Sequence, residues 1–391
     1  MNINEFKSEL SDHILPFWIE LKDEKHGGFY GEVDYYLNVN KEGGKGGIAT
    51  ARFLWSFSAA YNATQNKKYL DIAKHSYDFL VNKVIDKKNK GIYWMLNFQG
   101  ESIDTRKHIY AQAFGVYALS EYYMATKDEE ALNYAMDLFN IIENLGYNIE
   151  KNAYKEEFDM KWNETSNEML SENGVIASIT TNTHLHVLEA YTNLYKIWPS
   201  ENLKQRLENL IYIFYEKIYN DETQHLKVFF DKNWEEIIDL KSYGHDIEAS
   251  WLIDEAMKVV ELKDEKISKM ILDIACNIEE NAIDADGAIL NEKENNVIDH
   301  TKVWWVQSEA IVGFYNAYEN SQDEKFLEAI EKVWDYTKKN IIDKRSNGEW
   351  VWSVETDGSK TIRDIAEPWK TPYHNSRLCL EMMKRMGEND K

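Results

Sequence analysis

The feature that most constrains this chain is an internal repeat. Apolar residues recur at helical spacing over most of its 391 residues, and they divide the chain into twelve predicted helices. Between successive pairs of helices lie short segments in which apolar and polar residues alternate as in a strand, bounded by Gly, Asn or Asp. The starts of these segments lie about 60 to 75 residues apart, which is the spacing of a repeated unit. One unit of two helices and a short hairpin therefore repeats six times.

The predicted helices alternate in character along the chain. They cover residues 3–22, 49–65, 67–86, 104–126, 128–146, 170–197, 201–219, 244–260, 263–281, 302–319, 323–341 and 372–386, and the strand-like segments cover 27–34, 91–98, 152–159, 225–234, 286–292 and 347–355. Segments 67–86 and 323–341 each have a charged face and an apolar face, as helices on an outer surface do. Segments 104–126 and 302–319 are apolar or aromatic nearly all round, which is expected of helices buried on both sides.

Six helical hairpins with one helix of each pair inside can close into a ring. The sequence therefore predicts an all-α fold, an (α/α)6 barrel of six helical hairpins with short β-hairpins at one end. An open solenoid built from the same units is the alternative. Because no linker rich in Pro, Gly or Ser interrupts the chain, we expect residues 1–391 to form a single catalytic domain.

The charge balance excludes several classes of partner. Lys plus Arg total 45 against 68 for Asp plus Glu, a net charge of −23, so nucleic-acid phosphates and anionic membrane surfaces would be repelled. The sequence contains no apolar run of about 18 residues and no visible secretory signal, and its two cysteines form no recognisable framework. We therefore expect a cytoplasmic protein without nucleic-acid or membrane partners, present as a monomer or a weak dimer.

Polar and titratable residues cluster near the N-terminal end of each even-numbered predicted helix. The clusters contain Arg52, His108, Tyr110, Asn182, His184, His186, His245, Glu248, Trp251, Trp304, Trp305, Glu309, Trp369, His374 and Arg377. If the inner helices run parallel, these ends meet at one opening of the barrel and line one pocket. Aromatic rings beside hydrogen-bonding groups suit a sugar, whose ring has apolar faces and a polar edge.

The histidines of this predicted pocket indicate proton transfer, because imidazoles titrate near neutral pH. Inverting a carbon beside a carbonyl requires that one proton leaves and one returns, and it needs no redox cofactor. At C2 of a sugar the ring must first open, and loss of the C2 proton then gives a cis-enediolate that a nearby cation would stabilise. Neither GxGxxG after a strand nor a P-loop motif is present, so a nucleotide site is not expected.

Three other interpretations remain open on these residues alone. A glycoside hydrolase would use a pair of carboxylates, for which Glu248 and Glu309 are available, but the histidines would then have no role. His245 and Glu248 could bind a metal ion, although no compact set of further ligands is visible. A non-catalytic helical scaffold would leave the whole ring of titratable residues without a purpose.

Three motifs carry a resemblance to a known family. The segments SYGHDIEASW at 242–251, TKVWWVQSEA at 301–310 and PWKTPYHNSR at 368–377 resemble the N-acylglucosamine 2-epimerase superfamily, and within it the cellobiose 2-epimerases. The resemblance covers essentially the whole chain. It implies an (α/α)6 barrel, no metal or nucleotide cofactor, and a disaccharide substrate. The reaction would convert the reducing-end glucose of β-1,4-linked disaccharides such as cellobiose and lactose to mannose, and N-acylglucosamine epimerisation or aldose–ketose isomerisation are the alternatives.

The same resemblance implies a role for each candidate residue. His374 and His245 would be the acid/base pair that acts at C2. His186 would act near the ring and anomeric oxygens, and Arg52 would hold O1 or O2 and stabilise the enediolate. The substrate-binding residues would be Tyr110, Asn182, Glu248, Trp251, Trp305, Glu309 and Trp369. For His108 and His184, a structural role and a role in the site are equally consistent with the sequence.

Overall fold

Twelve helices make up most of the fold over residues 2–168 and 174–389, the part of the chain that the computed structural model describes. They are α1 (Ile3–Ser8, Glu9–Ile14 and Leu15–Glu20), α2 (Gly47–Thr64), α3 (Lys67–Phe79 and Leu80–Val84), α4 (Ile109–Thr126), α5 (Glu129–Ile141 and Ile142–Gly146), α6 (Thr181–Tyr195), α7 (Glu201–Ile213 and Phe214–Ile218), α8 (Tyr243–Val260), α9 (Glu265–Asn281), α10 (Trp304–Ser321), α11 (Lys325–Tyr336 and Thr337–Ile341) and α12 (Tyr373–Asn389). The second segment of α1, α3, α5, α7 and α11 is π-helical.

The even-numbered helices form an inner ring. Each of them contacts the next one around the ring, and α12 contacts α2. Helix α2 is buried without a break from Gly47 to Ala60, as expected of a helix that is covered on both sides. The outer helix α9 instead buries one stripe, which includes Ile267, Ile271 and Ile274 at three- to four-residue spacing.

Short strands lie where an outer helix leads into an inner one. They are β1 (Glu32–Val33), β2 (Val39–Asn40), β3 (Lys45–Gly46), β4 (Met95–Leu96), β5 (Ser102–Asp104), β6 (Lys107–His108), β7 (Tyr147–Asn148), β8 (Ala153–Tyr154), β9 (Glu157–Phe158), β10 (Glu164–Thr165), β11 (Ile179–Thr180), β12 (Tyr219–Asn220), β13 (His225–Leu226), β14 (Phe229–Phe230), β15 (Leu240–Ser242), β16 (Glu292–Glu294), β17 (Val297–Asp299), β18 (Lys302–Val303) and β19 (Ser353–Val354). All pairs are antiparallel, and the sheets have the orders β1–β2, β3–β4–β5, β6–β9–β10, β7–β8, β11–β14, β12–β13, β15–β16–β17 and β18–β19.

The strand pairing follows one rule around the ring. The strand that precedes an inner helix pairs with a strand that follows the next outer helix: β3 with β4, β6 with β9, β11 with β14, β15 with β16, and β18 with β19. Ahead of α12 the first unit supplies the partner, since the Val33 N–H donates to the Ala366 carbonyl at 2.9 Å. The ring is therefore closed, which confirms the predicted (α/α)6 barrel and excludes the open solenoid. All inner helices start at this strand-bearing end, which we call the mouth.

A buried lysine precedes four of the described inner helices by two or three residues. Each lysine pairs with an acid that follows the outer helix of the same unit, and each lysine side chain is at most 3% exposed. The pairs are Lys45 with Asp23, Lys107 with Asp86, Lys302 with Asp284, and Lys370 with Glu349. Removal of one partner would leave a buried charge unpaired at a cost of about 3–5 kcal/mol. These pairs therefore fix the first turns of the helices that reach the mouth.

The first helix packs against the last unit. Helix α1 contacts α12, and two indole N–H groups of the last unit donate to its carboxylates. Trp334 donates to Glu5 at 2.6 Å, and Trp350 donates to Glu9 at 2.7 Å. The two ends of the chain therefore hold each other through helices as well as through the strand bridge.

The structure corrects two predicted helix boundaries. The helix predicted over 104–126 begins only at Ile109, because the residues before it pair as strands β5 and β6. The helix predicted over 170–197 begins at Thr181, where the Thr180 hydroxyl accepts the Thr183 N–H and caps it. Residues 174–180 are not helical, and residues 169–173 lie outside the described ranges. Within those ranges no helix combines the length and the apolar character that a membrane span requires.

Candidate active site

The predicted site residues come together at the mouth. All six inner helices contribute from their first three turns, at the end where the helix dipole is positive. The contributions are Arg52 from α2, Tyr110 from α4, Asn182 and His186 from α6, His245, Glu248 and Trp251 from α8, Trp305 and Glu309 from α10, and His374 from α12, with Trp369 in the segment before α12. The contacts below connect these residues to one another.

His374 is held by a carboxylate. Its Nδ1 lies 2.7 Å from Oε1 of Glu309. Burial, together with the positive charges of Arg377 and Arg52, lowers the pKa of His374 well below its usual value. Because a neutral imidazole facing an ionised carboxylate must donate, Nδ1 carries the proton and Nε2 keeps its lone pair. His374 can therefore accept a proton at Nε2.

His245 is held by a hydroxyl instead. Its Nδ1 lies 2.7 Å from Oγ of Ser242. Burial lowers the pKa of His245 to about 3, and the neighbouring His186 contributes in the same direction. The ring of His245 lies 4.9 Å from the indole of Trp305, and the ring of His374 lies 5.4 Å from the same indole. Two neutral imidazoles, which we call the histidine pair, therefore contact one tryptophan.

His186 is the third histidine of the site. Its Nδ1 lies 2.9 Å from Oε2 of Glu189, one turn further along α6, and both side chains are 3% exposed. The ring packs edge-on against Tyr110 with 4.9 Å between centroids, and it lies 4.8 Å from Phe114. Aromatic walls thus fix the plane of the ring, while the carboxylate fixes one of its nitrogens.

One guanidinium joins carboxylates from three helices. Arg377 pairs with Glu189 and Glu248, and its Nη2 lies 2.7 Å from Oε1 of Glu309. Burial disfavours its charge, but the surrounding carboxylates outweigh burial and raise the pKa of Arg377 above its usual value. Burial and the nearby Glu309 raise the pKa of Glu248 to about 7, so near neutral pH Glu248 exchanges between its two protonation states.

Glu309 lies between the histidine pair and this guanidinium. Its Oε1 contacts His374 and Arg377, and its Oε2 accepts the indole N–H of Trp251 at 3.2 Å. Burial raises the pKa of Glu309, whereas the donors Arg377 and Trp251 act in the opposite direction. The indole of Trp251 also lies 4.9 Å from the guanidinium carbon of Arg377. Trp251, predicted as a substrate-binding residue, is thus placed behind Glu309.

Arg52 is held in place by aromatic rings and a carbonyl. Its Nη2 donates to the Tyr110 hydroxyl at 2.7 Å, and its Nη1 donates to the Trp369 carbonyl at 3.0 Å. The guanidinium carbon lies 4.4 Å from the ring centre of Phe114 and 5.0 Å from that of Tyr373. This arrangement presents a fixed positive charge near the histidine pair.

Among the buried polar atoms of the site that have no hydrogen-bond partner within the described residues, three belong to residues predicted to meet the substrate. They are Nε of Arg52, Oδ1 of Asn182 and Oε2 of Glu248. Leaving a buried polar atom without a partner costs about 1–3 kcal/mol. A ligand with several hydroxyl groups would supply the missing partners.

Two histidines that the sequence left open have structural roles. His184 donates from Nδ1 to the Thr180 carbonyl at 2.8 Å and accepts the Tyr154 N–H at Nε2, so both of its nitrogens are occupied. His108 caps α4, since its Nδ1 accepts the Tyr110 N–H at 3.2 Å. Burial lowers the pKa of both histidines to about 4. Neither is free to transfer a proton to a substrate.

A set of metal-binding residue types does occur at the mouth. Glu248, Glu309 and His374 each place one potential ligand atom within 4.8 Å of the others. Arg377 already pairs with both carboxylates, and a divalent cation at this position would repel the guanidinium. The donor set therefore fits the arginine better than it fits a metal ion.

Sequence reasoning missed Glu189 and the role of Arg377. Glu189 is a charged residue within the continuously buried stretch Val187–Leu194 of an inner helix, three positions after His186. That combination of burial and i,i+3 spacing was a usable signal. Arg377 was visible in the PYHNSR motif, but its partners lie on three other helices and no local pattern indicates them.

Comparisons with known proteins agree with this architecture. A family model described as N-acylglucosamine 2-epimerase (GlcNAc 2-epimerase) matches residues 28–377. The cellobiose 2-epimerase of Dictyoglomus turgidum is 45% identical over 392 residues, which cover 99% of this chain and 100% of that protein. The cellobiose 2-epimerase of Ruminococcus albus is 46% identical over 388 residues, covering 98% and 99%.

Solved structures give the same result. The structure of the cellobiose 2-epimerase from Bacillus thermoamylovorans superposes with a TM-score of 0.97 at 60% identity, covering 98% of this chain and 99% of that one. The family match, over residues 28–377, contains every residue of the site described above. This chain therefore belongs to the N-acylglucosamine 2-epimerase family and is an isomerase of the carbohydrate epimerase class.

Proposed function

We propose that this protein epimerises C2 of the reducing-end glucose in β-1,4-linked disaccharides, converting cellobiose to glucosyl-mannose and lactose to epilactose. The observation that carries the proposal is the histidine pair, two neutral imidazoles in contact with the same indole, Trp305. Epimerisation requires one group that takes a proton and another that returns one, and the pair supplies both. The names of the relatives support the choice of cellobiose.

The first step is ring opening, which we assign to His186. As the bond between C1 and the ring oxygen breaks, the imidazole takes the proton of the anomeric hydroxyl and delivers it to the ring oxygen. The products are the C1 aldehyde and a hydroxyl group at C5. The carboxylate of Glu189 behind Nδ1 supports this assignment, because it leaves Nε2 for the sugar.

The second step is proton transfer at C2. One imidazole of the histidine pair takes the C2 proton, and the bonding electrons move to form the cis-enediolate. The guanidinium of Arg52 stabilises the negative charge that develops on O1 and O2. The other imidazole, protonated from solvent, gives its proton to the opposite face of C2, while the first imidazolium releases its proton to solvent. Ring closure then gives the manno sugar.

Binding would rely on aromatic surfaces and on the unpaired polar atoms of the mouth. We propose that Trp305 and Trp369 pack against the two sugar units, with Tyr110 and Asn182 on the side of the reducing-end sugar. We also propose that residues 1–391 act as one catalytic domain without a metal or nucleotide cofactor. The reaction moves a proton and transfers no net electrons, so it needs no redox cofactor. The free thiols Cys276 and Cys379 support a reducing, cytoplasmic environment.

The test is incubation with cellobiose in deuterated buffer containing EDTA, followed by NMR. We expect glucosyl-mannose, deuterium at C2 of the reducing-end sugar, and no free glucose. Parallel reactions with lactose, mannose and N-acetylglucosamine identify the preferred substrate. A ketose product would indicate that the enediolate is reprotonated at C1. Absence of C2 label from cellobiose would refute the proposal.

The competing interpretation is a glycoside hydrolase that uses Glu248 and Glu309. Both carboxylates pair with Arg377, and Glu309 also holds His374, so neither is placed as an independent acid or nucleophile. A hydrolase would release free glucose from cellobiose in the same experiment. The single incubation therefore separates the two chemistries.

A further inference from the structure

Glu189 is a buried carboxylate of the site whose part in the proposed reaction can be defined further. Its Oε2 faces Nδ1 of His186 at 2.9 Å, and its Oε1 accepts from the Tyr373 hydroxyl and from Nη1 of Arg377. With only 3% of its side chain exposed, Glu189 is held by three partners on two helices. Its position therefore does not depend on a bound substrate.

Glu189 is ionised over the whole working range of pH. Burial by itself raises its pKa, but Arg377 and His186 outweigh burial and lower the pKa of Glu189 to about 2. An ionised carboxylate only accepts hydrogen bonds, so Nδ1 of His186 must carry a proton. The proton that His186 exchanges is therefore the one at Nε2, an atom that has no hydrogen-bond partner within the described residues.

The same arrangement occurs a second time in the site. Glu309 faces Nδ1 of His374 at 2.7 Å, as Glu189 faces Nδ1 of His186. Arg377 bonds to both carboxylates. Two carboxylate–histidine pairs therefore share one guanidinium, and that guanidinium sets the distance between them.

We propose that Glu189 is a positioning residue for ring opening: it holds His186 in the tautomer whose Nε2 exchanges the proton of the anomeric oxygen. This inference rests on the function proposed above. Glu309 serves proton transfer at C2 through His374, whereas Glu189 serves the preceding step through His186. Loss of Glu189 should therefore slow one step of the reaction and leave the other intact.

The decisive variant is Glu189→Gln, which keeps the shape of the side chain but lets an amide donate toward Nδ1 and so favours the wrong tautomer. We expect kcat for cellobiose to fall about 100-fold, the lower end of what general acid–base catalysis contributes. We also expect ring opening to become rate-limiting. The kinetic isotope effect with cellobiose deuterated at C2 would then fall toward 1, and enzyme-dependent exchange between the α and β anomers, measured by NMR, would fall with kcat.

Two controls separate this role from a structural one. Glu309→Gln should lower kcat while the isotope effect stays at least as large as in the unmodified enzyme, because proton transfer at C2 would be the slowed step. Glu201→Gln, at the exposed start of α7, should change neither quantity. Near-UV circular dichroism checks folding, and Glu189→Asp, which keeps the charge, replaces the Gln variant if that one does not fold.

The outcomes are distinct. A Glu189→Gln enzyme with normal kcat overturns the proposal, and so does one whose kcat falls while the isotope effect and the ratio of anomer exchange to C2 exchange stay unchanged. For Glu189→Asp, a loss of kcat smaller than about 100-fold together with an isotope effect that falls toward 1 supports the proposal. An unchanged isotope effect in this variant overturns it. Failure of the unmodified enzyme to label C2 would instead refute the proposed function itself.

Discussion

The two members of the histidine pair contact the same indole but are supported differently. Behind His374 lies the carboxylate of Glu309, which Arg377 holds in turn, whereas behind His245 lies only the hydroxyl of Ser242. A carboxylate stabilises an imidazolium by direct charge, and a hydroxyl does so only through its dipole. The two histidines therefore differ in how strongly their surroundings stabilise a proton, and in the proposed reaction the two faces of C2 would meet unequal bases.

The comparison shows how an enzyme can place two neutral bases side by side. Burial lowers the pKa of each histidine, so both can accept a proton near neutral pH. The positive charges of Arg377 and Arg52 lower the pKa of His374 further. They offset part of the stabilisation that the Glu309 carboxylate gives to a protonated ring. Burial on both sides, with two arginines added beside His374, therefore keeps both histidines unprotonated near neutral pH.

Removal of either imidazole should have the largest effect. We expect His374→Ala and His245→Ala each to lower kcat about 1000-fold, within the range of a lost general acid or base. Steady-state kinetics with cellobiose measures the loss, and circular dichroism verifies folding. His300→Ala is the matched control, since that side chain is 44% exposed. Near-normal turnover in either site variant would show that the pair does not carry the reaction.

Changing the groups behind the rings should sharpen the comparison. Glu309→Gln removes a charged hydrogen bond and should lower kcat about 10- to 100-fold, whereas Ser242→Ala removes a neutral one and should lower it about 2- to 10-fold. The same assay measures both. Equal losses, or a larger loss for Ser242→Ala, would contradict the inequality between the two sides.

Moving the shared indole should affect both histidines together. A Cβ atom at Gly244 would lie 2.5 Å from the ring of Trp305, so Gly244→Ala must displace that ring. We expect kcat/KM to fall about 10-fold or more, since small displacements in a site are costly, and stability to fall by about 1–3 kcal/mol. Gly387→Ala, whose Cβ would meet only Ile3 at 3.9 Å, is the control. An unchanged kcat/KM in Gly244→Ala would mean that the indole does not position the pair.

The smallest expected effect concerns stability. The unfolded chain protonates His245 near pH 6.5, whereas the folded pKa is about 3. Between these values the unfolded state binds the extra proton, so stability falls as the pH falls through this window, by at most about 1.4 kcal/mol per pH unit for one group. Urea unfolding of His245→Asn should show a shallower decline than the unmodified protein. Equal slopes would argue against a buried neutral ring.

Local patterns predicted the barrel, and they indicated most of the side chains that the structure brings together at the mouth. The repeat of apolar periodicity and short strands is a local property of each unit, and the titratable residues stood out because they interrupt apolar helices. The predicted start of α6 was wrong because the apolar residues Val175–Ala177 extended the helical pattern. The helix begins where the Thr180 side chain caps it. An N-cap can start a helix within a stretch whose apolar periodicity continues, as Thr180 does here.

The connections inside the site could not be predicted in this way. Arg377 meets partners up to 188 positions away in sequence, on helices that become neighbours only when the ring closes. The role of Trp251 likewise depends on its reach to Glu309, 58 positions away. Such pairings follow from tertiary geometry, which a periodic pattern leaves undetermined.

The closure of the ring has a consequence for the order in which the protein matures. Glu349 accepts from the indole of Trp18 at 3.3 Å in the first helix and from the amide of Asn375, the neighbour of His374. A ribosome releases Trp18 long before it makes His374, so the first helix must wait for most of synthesis with its apolar face uncovered. Contacts of such long sequence separation form slowly. The mouth is therefore completed late, when the first and last helices of the ring meet.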